Sequence, residues 1–161
     1  MIAFIIKIME NRKKSRTGSS KFYFAYGSNM DEGQMADRCP NATLIGKAVL
    51  NNYRFVINSR GVATAIPVEG RRVYGLVWHI TRDCESSLDE WEGVRYETYR
   101  TEEVTIIGAK EQNIVSLIYV ARDSQPGAPR IGYLERIICA AQKNSFAEDY
   151  IQELREWKGH T

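Results

Sequence analysis

Histidine and cysteine are scarce in this sequence, and none of its apolar runs is long enough to cross a bilayer. The two histidines, His79 and His160, lie far apart and outside any HExxH, CxxC or Ser/His/Asp arrangement, which argues against histidine-based hydrolysis and zinc proteolysis. The cysteines Cys39, Cys84 and Cys139 are odd in number, widely spaced and without CxxC spacing. The expectation is therefore three small buried apolar residues, with neither a disulfide framework nor a zinc site, in a reducing, cytoplasmic setting. A strong charge of one sign is also missing. The net charge is +2, and six cations against Glu10 within residues 1–21 give that stretch +5, so the rest of the chain carries −3. A mildly acidic body behind a basic leader does not fit a nucleic-acid-binding domain, which spreads Lys and Arg over one face. The leader starts apolar but lacks the pattern of a secretory signal, so no stable membrane insertion is expected.

What is present has ordinary globular proportions: 161 residues, 43% hydrophobic and 26% charged, enough for one core. The division expected is a flexible basic leader over residues 1–20 and a single domain over residues 21–161. Lys21 to Tyr26 is rich in strand-forming aromatics and stops at Gly27-Ser28-Asn29, reading as a buried strand that ends in a loop. Residues Met30 to Arg38 read as a short helix halted before Pro40. Four β-rich runs follow, Thr43–Leu50, Tyr53–Ile57, Val62–Val68 and Val73–Ile80. Their Asn, Ser and Gly connections predict consecutive hairpins.

Asp83 to Glu92 places Cys84, Leu88 and Trp91 on one apolar stripe of a helix that Gly93 would end. Thr98–Ile107 and Asn113–Ala121 predict a further hairpin. Ile131–Gln142 and Ser145–Trp157 predict helices, the second with Ser145 and Glu148 as a capping box. About seven strands, with helices mainly late in the chain, predict an α+β domain with a mixed, mainly antiparallel, barrel-like sheet and a few flanking helices.

A strand that ends in Gly-Ser-Asn and enters a helix presents free backbone N–H groups at a positive helix end, suited to a carboxylate or an oxyanion. A second reading of the same residues is that Ser28 or Asn29 simply caps the helix. Ser28 is not a nucleophile elbow, because Asn29 and Met30 replace the residues that would follow one.

The longer strings FYFAYGSNM and SLDEWEGV, in that order and followed by tyrosine-bearing segments, resemble the γ-glutamyl cyclotransferase family, AIG2-like proteins included. The resemblance runs from about Phe22 to about Ile138. It implies that Tyr26, Gly27, Ser28 and Asn29 cradle a γ-glutamyl head group, that Glu92 is the catalytic base, and that Tyr99, Tyr119 and Tyr133 line the pocket. It also implies a small-molecule γ-glutamyl substrate, no cofactor and a homodimer. The implied reaction is intramolecular: the substrate's α-amine attacks its own γ-carbonyl, closing 5-oxoproline and releasing an amine or amino acid. A non-catalytic module that only binds such a molecule is the competing reading. It is disfavoured because a pocket for an anionic head group gains nothing from a nearby carboxylate.

Physics distinguishes Glu92 from its acidic neighbours. Four residues after Leu88 it falls on the apolar flank of its helix, whereas Asp89 and Glu90 are expected to project outward. Burial and the negative helix end would raise its pKa towards that of a base working near neutrality, unless Arg95 pairs with it. An ordinary surface ion pair is the alternative role for this glutamate.

Overall fold

The computed structural model describes residues 20–160, so nearly all of the expected leader lies outside the described residues. Five strands close a barrel in the order β1 (Lys21–Ala25), β3 (Ala63–Ile80), β2 (Thr43–Ile57), β4 (Tyr99–Gly108) and β5 (Asn113–Ala121). The pairs β1/β3, β2/β3, β2/β4 and β4/β5 are antiparallel, and β1/β5 is parallel at Tyr23 and Leu117. The sheet is therefore mixed but mainly antiparallel and closed into a barrel, as expected. Among the described residues four α-helices accompany it: α1 (Glu32–Arg38), α2 (Arg82–Trp91), α3 (Tyr133–Lys143) and α4 (Glu148–Glu156). None of them is long and apolar enough to cross a membrane.

Closure seals a core that includes Phe24, Ile57, Leu76, Ile106 and Ile118, all fully buried. Gly75 sets the spacing of β1 on β3. A Cβ there would lie 2.5 Å from the Ala25 carbonyl oxygen and 2.6 Å from the Phe24 ring, closer than packed atoms approach, so only glycine lets these two strands meet.

The expected chain of short hairpins is corrected. The four β-rich runs join into two long bent strands, and the sole reversal between them is the turn at residues 58–62. Asn51-Asn52 and Glu69-Gly70 do not reverse the chain. They face each other at a register shift between Asn51 and Tyr53, with Asn52 and Gly70 at positive φ and the Gly70 N–H donating to Asn52 Oδ1 at 3.0 Å. Residues suited to a turn here form a bulge, because the partner strand bends with them and pairing resumes beyond.

Two helix starts also differ from expectation. The segment after β1 is a 3₁₀ turn, Ser28–Met30, before α1, and Asp31 caps α1 by accepting from Gln34 N at 2.7 Å. Neither Ser28 nor Asn29 is the cap. Ser145 sits at φ 53°, and α4 starts after Ala147 without a side-chain cap, so the predicted capping box is not formed.

Cysteine behaviour is the third correction. Cys39, at the C-terminal cap of α1, and Cys84, in the first turn of α2, are joined as a disulfide with Cα atoms 5.1 Å apart, while Cys139 is exposed on α3. The sequence separation of 45 between the bonded cysteines conceals a proximity created by α1 packing on α2.

Candidate active site

A cavity of about 440 Å³ opens at one side of the barrel, and all eight sequence-predicted residues line it: Tyr26, Gly27, Ser28, Asn29, Glu92, Tyr99, Tyr119 and Tyr133. Several elements bring them together. β1 ends at Ala25 and delivers the loop; α2 ends at Trp91 and delivers Glu92; β4, β5 and α3 deliver the three later tyrosines.

Glu92 owes its position to how α2 starts and stops. Thr81 caps the start by accepting from Cys84 N at 3.3 Å, and Cys84 and Leu88 bury the inward face. Glu92 N still donates to Leu88 O at 2.8 Å, after which Gly93 turns left-handed at φ 67°. That conformation is open to glycine at little cost, so the helix ends with its last carboxylate turned into the cavity.

The Glu92 side chain is 17% exposed. Its Oε1 accepts from Asn29 Nδ2 at 3.3 Å and lies 3.8 Å from Arg38 Nη1. Burial raises its pKa above the ordinary carboxylate value, and the Arg38 charge and the Asn29 hydrogen bond offset part of that rise. The expected partner Arg95 is exposed and makes no such contact; Arg38 takes its place.

Two neighbours on α2 depart from expectation. Asp89 is half-buried, and its Oδ1 accepts from the Tyr119 hydroxyl at 2.6 Å, so only Glu90 projects freely. Trp91 is 62% exposed instead of packed in the core, with the Arg38 guanidinium 4.7 Å from its ring centroid. The final turn of α2 overhangs the cavity mouth, so the third position of the predicted stripe has no core beneath it.

Asn29 is the hub. Its Nδ2 donates to Tyr23 Oη at 3.0 Å as well as to Glu92, and its Oδ1 accepts from Gln34 Nε2 and Arg38 Nη1, each at 2.9 Å. Gln34 also donates to Ser28 Oγ at 2.7 Å. The loop side chains are thereby held from α1. Within the 3₁₀ turn the Met30 and Asp31 N–H groups bond back to Gly27 and Ser28, whereas the Ser28 and Asn29 N–H groups have no partner inside the turn.

The tyrosine hydroxyls are mostly committed. Tyr26 donates to Tyr119 O at 2.5 Å, Tyr99 to Ala63 O at 2.8 Å, and Tyr119 to Asp89. Tyr133 is different: its oxygen accepts from Ala63 N at 3.0 Å and faces the Ser28 N–H, leaving its own proton to donate. Burial pushes its phenol up to about 12, and burial also raises Tyr23, Tyr26, Tyr99 and Tyr119, so the wall is lined by neutral phenols at neutral pH.

Sequence reasoning missed Tyr23, Gln34 and Arg38. Gln34 and Arg38 stand four residues apart on α1, a spacing that puts two polar side chains on one face directly after the loop, and this signal could have found them. Tyr23 lies between Phe22 and Phe24 and carries no such mark. Neither histidine lines the cavity, and the described residues include no cluster of three or more His, Cys, Asp or Glu side chains able to hold a metal ion.

Relatives share this architecture. The chain is 27% identical over 157 residues to a mouse protein named gamma-glutamylcyclotransferase, covering 88% of this chain and 84% of that one. It is 29% identical over 146 residues to a human protein of the same name, covering 84% and 78%. A solved structure named gamma-glutamyl cyclotransferase superposes with a TM-score of 0.79 at 28% identity, covering 85% of this chain and 87% of that one. The sequence pattern of the AIG2-like family matches residues 72–154, more than half of the chain, running from within β3 through α2 and Glu92 into α4, and the chain belongs to that family.

Proposed function

We propose that this protein is a γ-glutamyl cyclotransferase that converts a γ-glutamyl amine or amino acid into 5-oxoproline and the free amine, with Glu92 as the general acid and base. The observation that carries this reading is a largely buried carboxylate, raised in pKa, hydrogen-bonded to the Gly-Ser-Asn loop inside a cavity walled by neutral phenols. The names of the relatives support the same activity.

In the proposed reaction Glu92 takes a proton from the substrate's α-ammonium, and the freed nitrogen lone pair attacks the γ-carbonyl carbon. The new C–N bond closes the five-membered ring and puts negative charge on the former carbonyl oxygen. In this reading the Asn29 N–H group and the Tyr133 hydroxyl, whose oxygen already takes the Ser28 N–H, donate to that charge, and losing one such donor costs about 2.7–4 kcal/mol of barrier. Collapse breaks the bond to the leaving nitrogen, which takes the proton from Glu92; the ring nitrogen then gives up its second proton to Glu92, which passes it to the released amine, so that 5-oxoproline keeps one N–H, the amine leaves as an ammonium and the carboxylate is regenerated. Proton and acyl group are conserved through the cycle and nothing is oxidised or reduced, so no further reactant is required. Holding the chain folded for ring closure supplies proximity.

Turnover of γ-glutamyl-alanine, followed as 5-oxoproline, tests the reading in wild type and in a folded Glu92→Gln variant. The expected loss is at least about a hundredfold, as for removal of a general base. In wild type kcat/KM should fall as pH drops through the raised Glu92 pKa, because the protonated carboxyl cannot accept a proton. Binding without turnover in both proteins would favour the non-catalytic module.

A further inference from the structure

We infer that Arg38 is a substrate-binding residue that pairs with the α-carboxylate of the γ-glutamyl head group. This rests on the proposed reading of the cavity as a γ-glutamyl site and adds a residue to it. The argument starts from the substrate's own geometry. Its α-amine and α-carboxylate share one carbon, so an amine within hydrogen-bond reach of Glu92 brings a second carboxylate to the side of the first. Two adjacent carboxylates in a partly buried site repel unless a cation lies between or beside them.

Arg38 is the cation in that position. Its side chain is 19% exposed, it lines the cavity, and it is the basic residue that lies within 4 Å of the Glu92 carboxylate. The other arginines on the cavity wall, Arg60, Arg130 and Arg136, are exposed. Arg130 donates to the Arg60 backbone oxygen and Arg136 to Gln34 Oε1, so two of these three side chains are already engaged at the rim.

The guanidinium is held in place yet has spare donors. Ser87 Oγ donates to the Arg38 backbone oxygen at 2.8 Å, fixing this end of α1 to α2, and the Trp91 ring covers one face of the group. Among the described residues its hydrogen-bond acceptor is Asn29 Oδ1, which uses one of the five N–H donors. The 3.8 Å separation from Glu92 is too long for a hydrogen bond, so the fork is not spent on the base. An arginine fork with free parallel donors matches a carboxylate bidentately.

The test compares γ-L-glutamyl-L-alanine with an analogue whose glutamyl α-carboxylate is a carboxamide, using wild type, Arg38→Gln and Arg38→Lys. Wild type should prefer the carboxylate by about 10- to 100-fold in kcat/KM, the value of a charge-assisted contact. Arg38→Gln should bring the ratio of the two kcat/KM values to within about threefold of one, whatever loss the changed surroundings of Glu92 and Asn29 impose on both substrates alike, and Arg38→Lys should restore part of the preference. A preference that survives in Arg38→Gln overturns the assignment, because the variant then damages something other than carboxylate recognition. Calorimetric titration of the two compounds separates this inference from the proposed reaction. If wild type makes no 5-oxoproline but binds the acid more tightly than the amide, and Arg38→Gln does not, the anchor stands without the reaction. Wild type that treats the two compounds alike in binding overturns the anchor whatever the turnover, and needs no variant to fold.

Discussion

Replacing Asn29 with alanine should weaken the fold and move the pH profile together, because one side chain serves both. Four hydrogen bonds end on it: two donated to Tyr23 and Glu92, and two accepted from Gln34 and Arg38. They are not equal. The contact to Glu92 is long at 3.3 Å, the contacts to Tyr23 and Gln34 are between neutral groups, and the 2.9 Å contact from Arg38 is charge-assisted and the strongest. At about 0.5–1.5 kcal/mol for each neutral bond and somewhat more for the charged one, with water from the cavity replacing part of the loss, the expected destabilisation is about 2–4 kcal/mol.

The electrostatic consequence has a definite sign. The Asn29 hydrogen bond lowers the Glu92 pKa against the upward pull of burial, so removing it leaves burial less opposed and the pKa rises further. The acid limb of kcat/KM should therefore move to higher pH in Asn29→Ala. Urea denaturation measures the first effect, and 5-oxoproline release from γ-glutamyl-alanine across pH measures the second. An acid limb that stays in place or moves to lower pH would refute the idea that Asn29 tunes the base, even if stability falls as expected.

Two further outcomes test what holds Glu92 in position. Leu88 is fully buried four residues before Glu92, so Leu88→Ala should cost about 3 kcal/mol in chemical denaturation, and a cost under about 1 kcal/mol would mean that α2 is not anchored through this side chain. The Cys39–Cys84 bridge closes a loop spanning 45 residues, and on chain entropy Cys84→Ala should lose about 4 kcal/mol relative to the oxidised wild type. Calorimetry with and without a phosphine reductant checks this. An unchanged wild-type melting temperature on reduction would show that the bridge does not contribute to stability.

The local order of elements around the site was legible along the chain because it depends on residues close in sequence. Aromatic residues running into Gly27-Ser28-Asn29 specify a strand ending in a loop, and Leu88 followed by Glu92 and Gly93 specifies a helix whose last carboxylate lies on the buried flank. The same strings carried the family resemblance. Where the reading went astray, the deciding partner was distant. Asn52 and Gly70 look like turn residues until each is seen opposite the other in a bulge; Trp91 belongs to an apolar stripe until the stripe is found to overhang a cavity; Cys39 and Cys84 look unpaired until α1 meets α2.

Arg38 shows the division most clearly. Sequence places it on a helix behind the loop, but its service to Asn29 and Glu92 exists only once α1 is packed against α2. Local propensity and periodicity thus determined which backbone each segment adopts and which face it buries. The choice of which charges meet in the cavity was left to long-range packing, because electrostatic partners are set by distances through space that the spacing of residues along a chain does not encode.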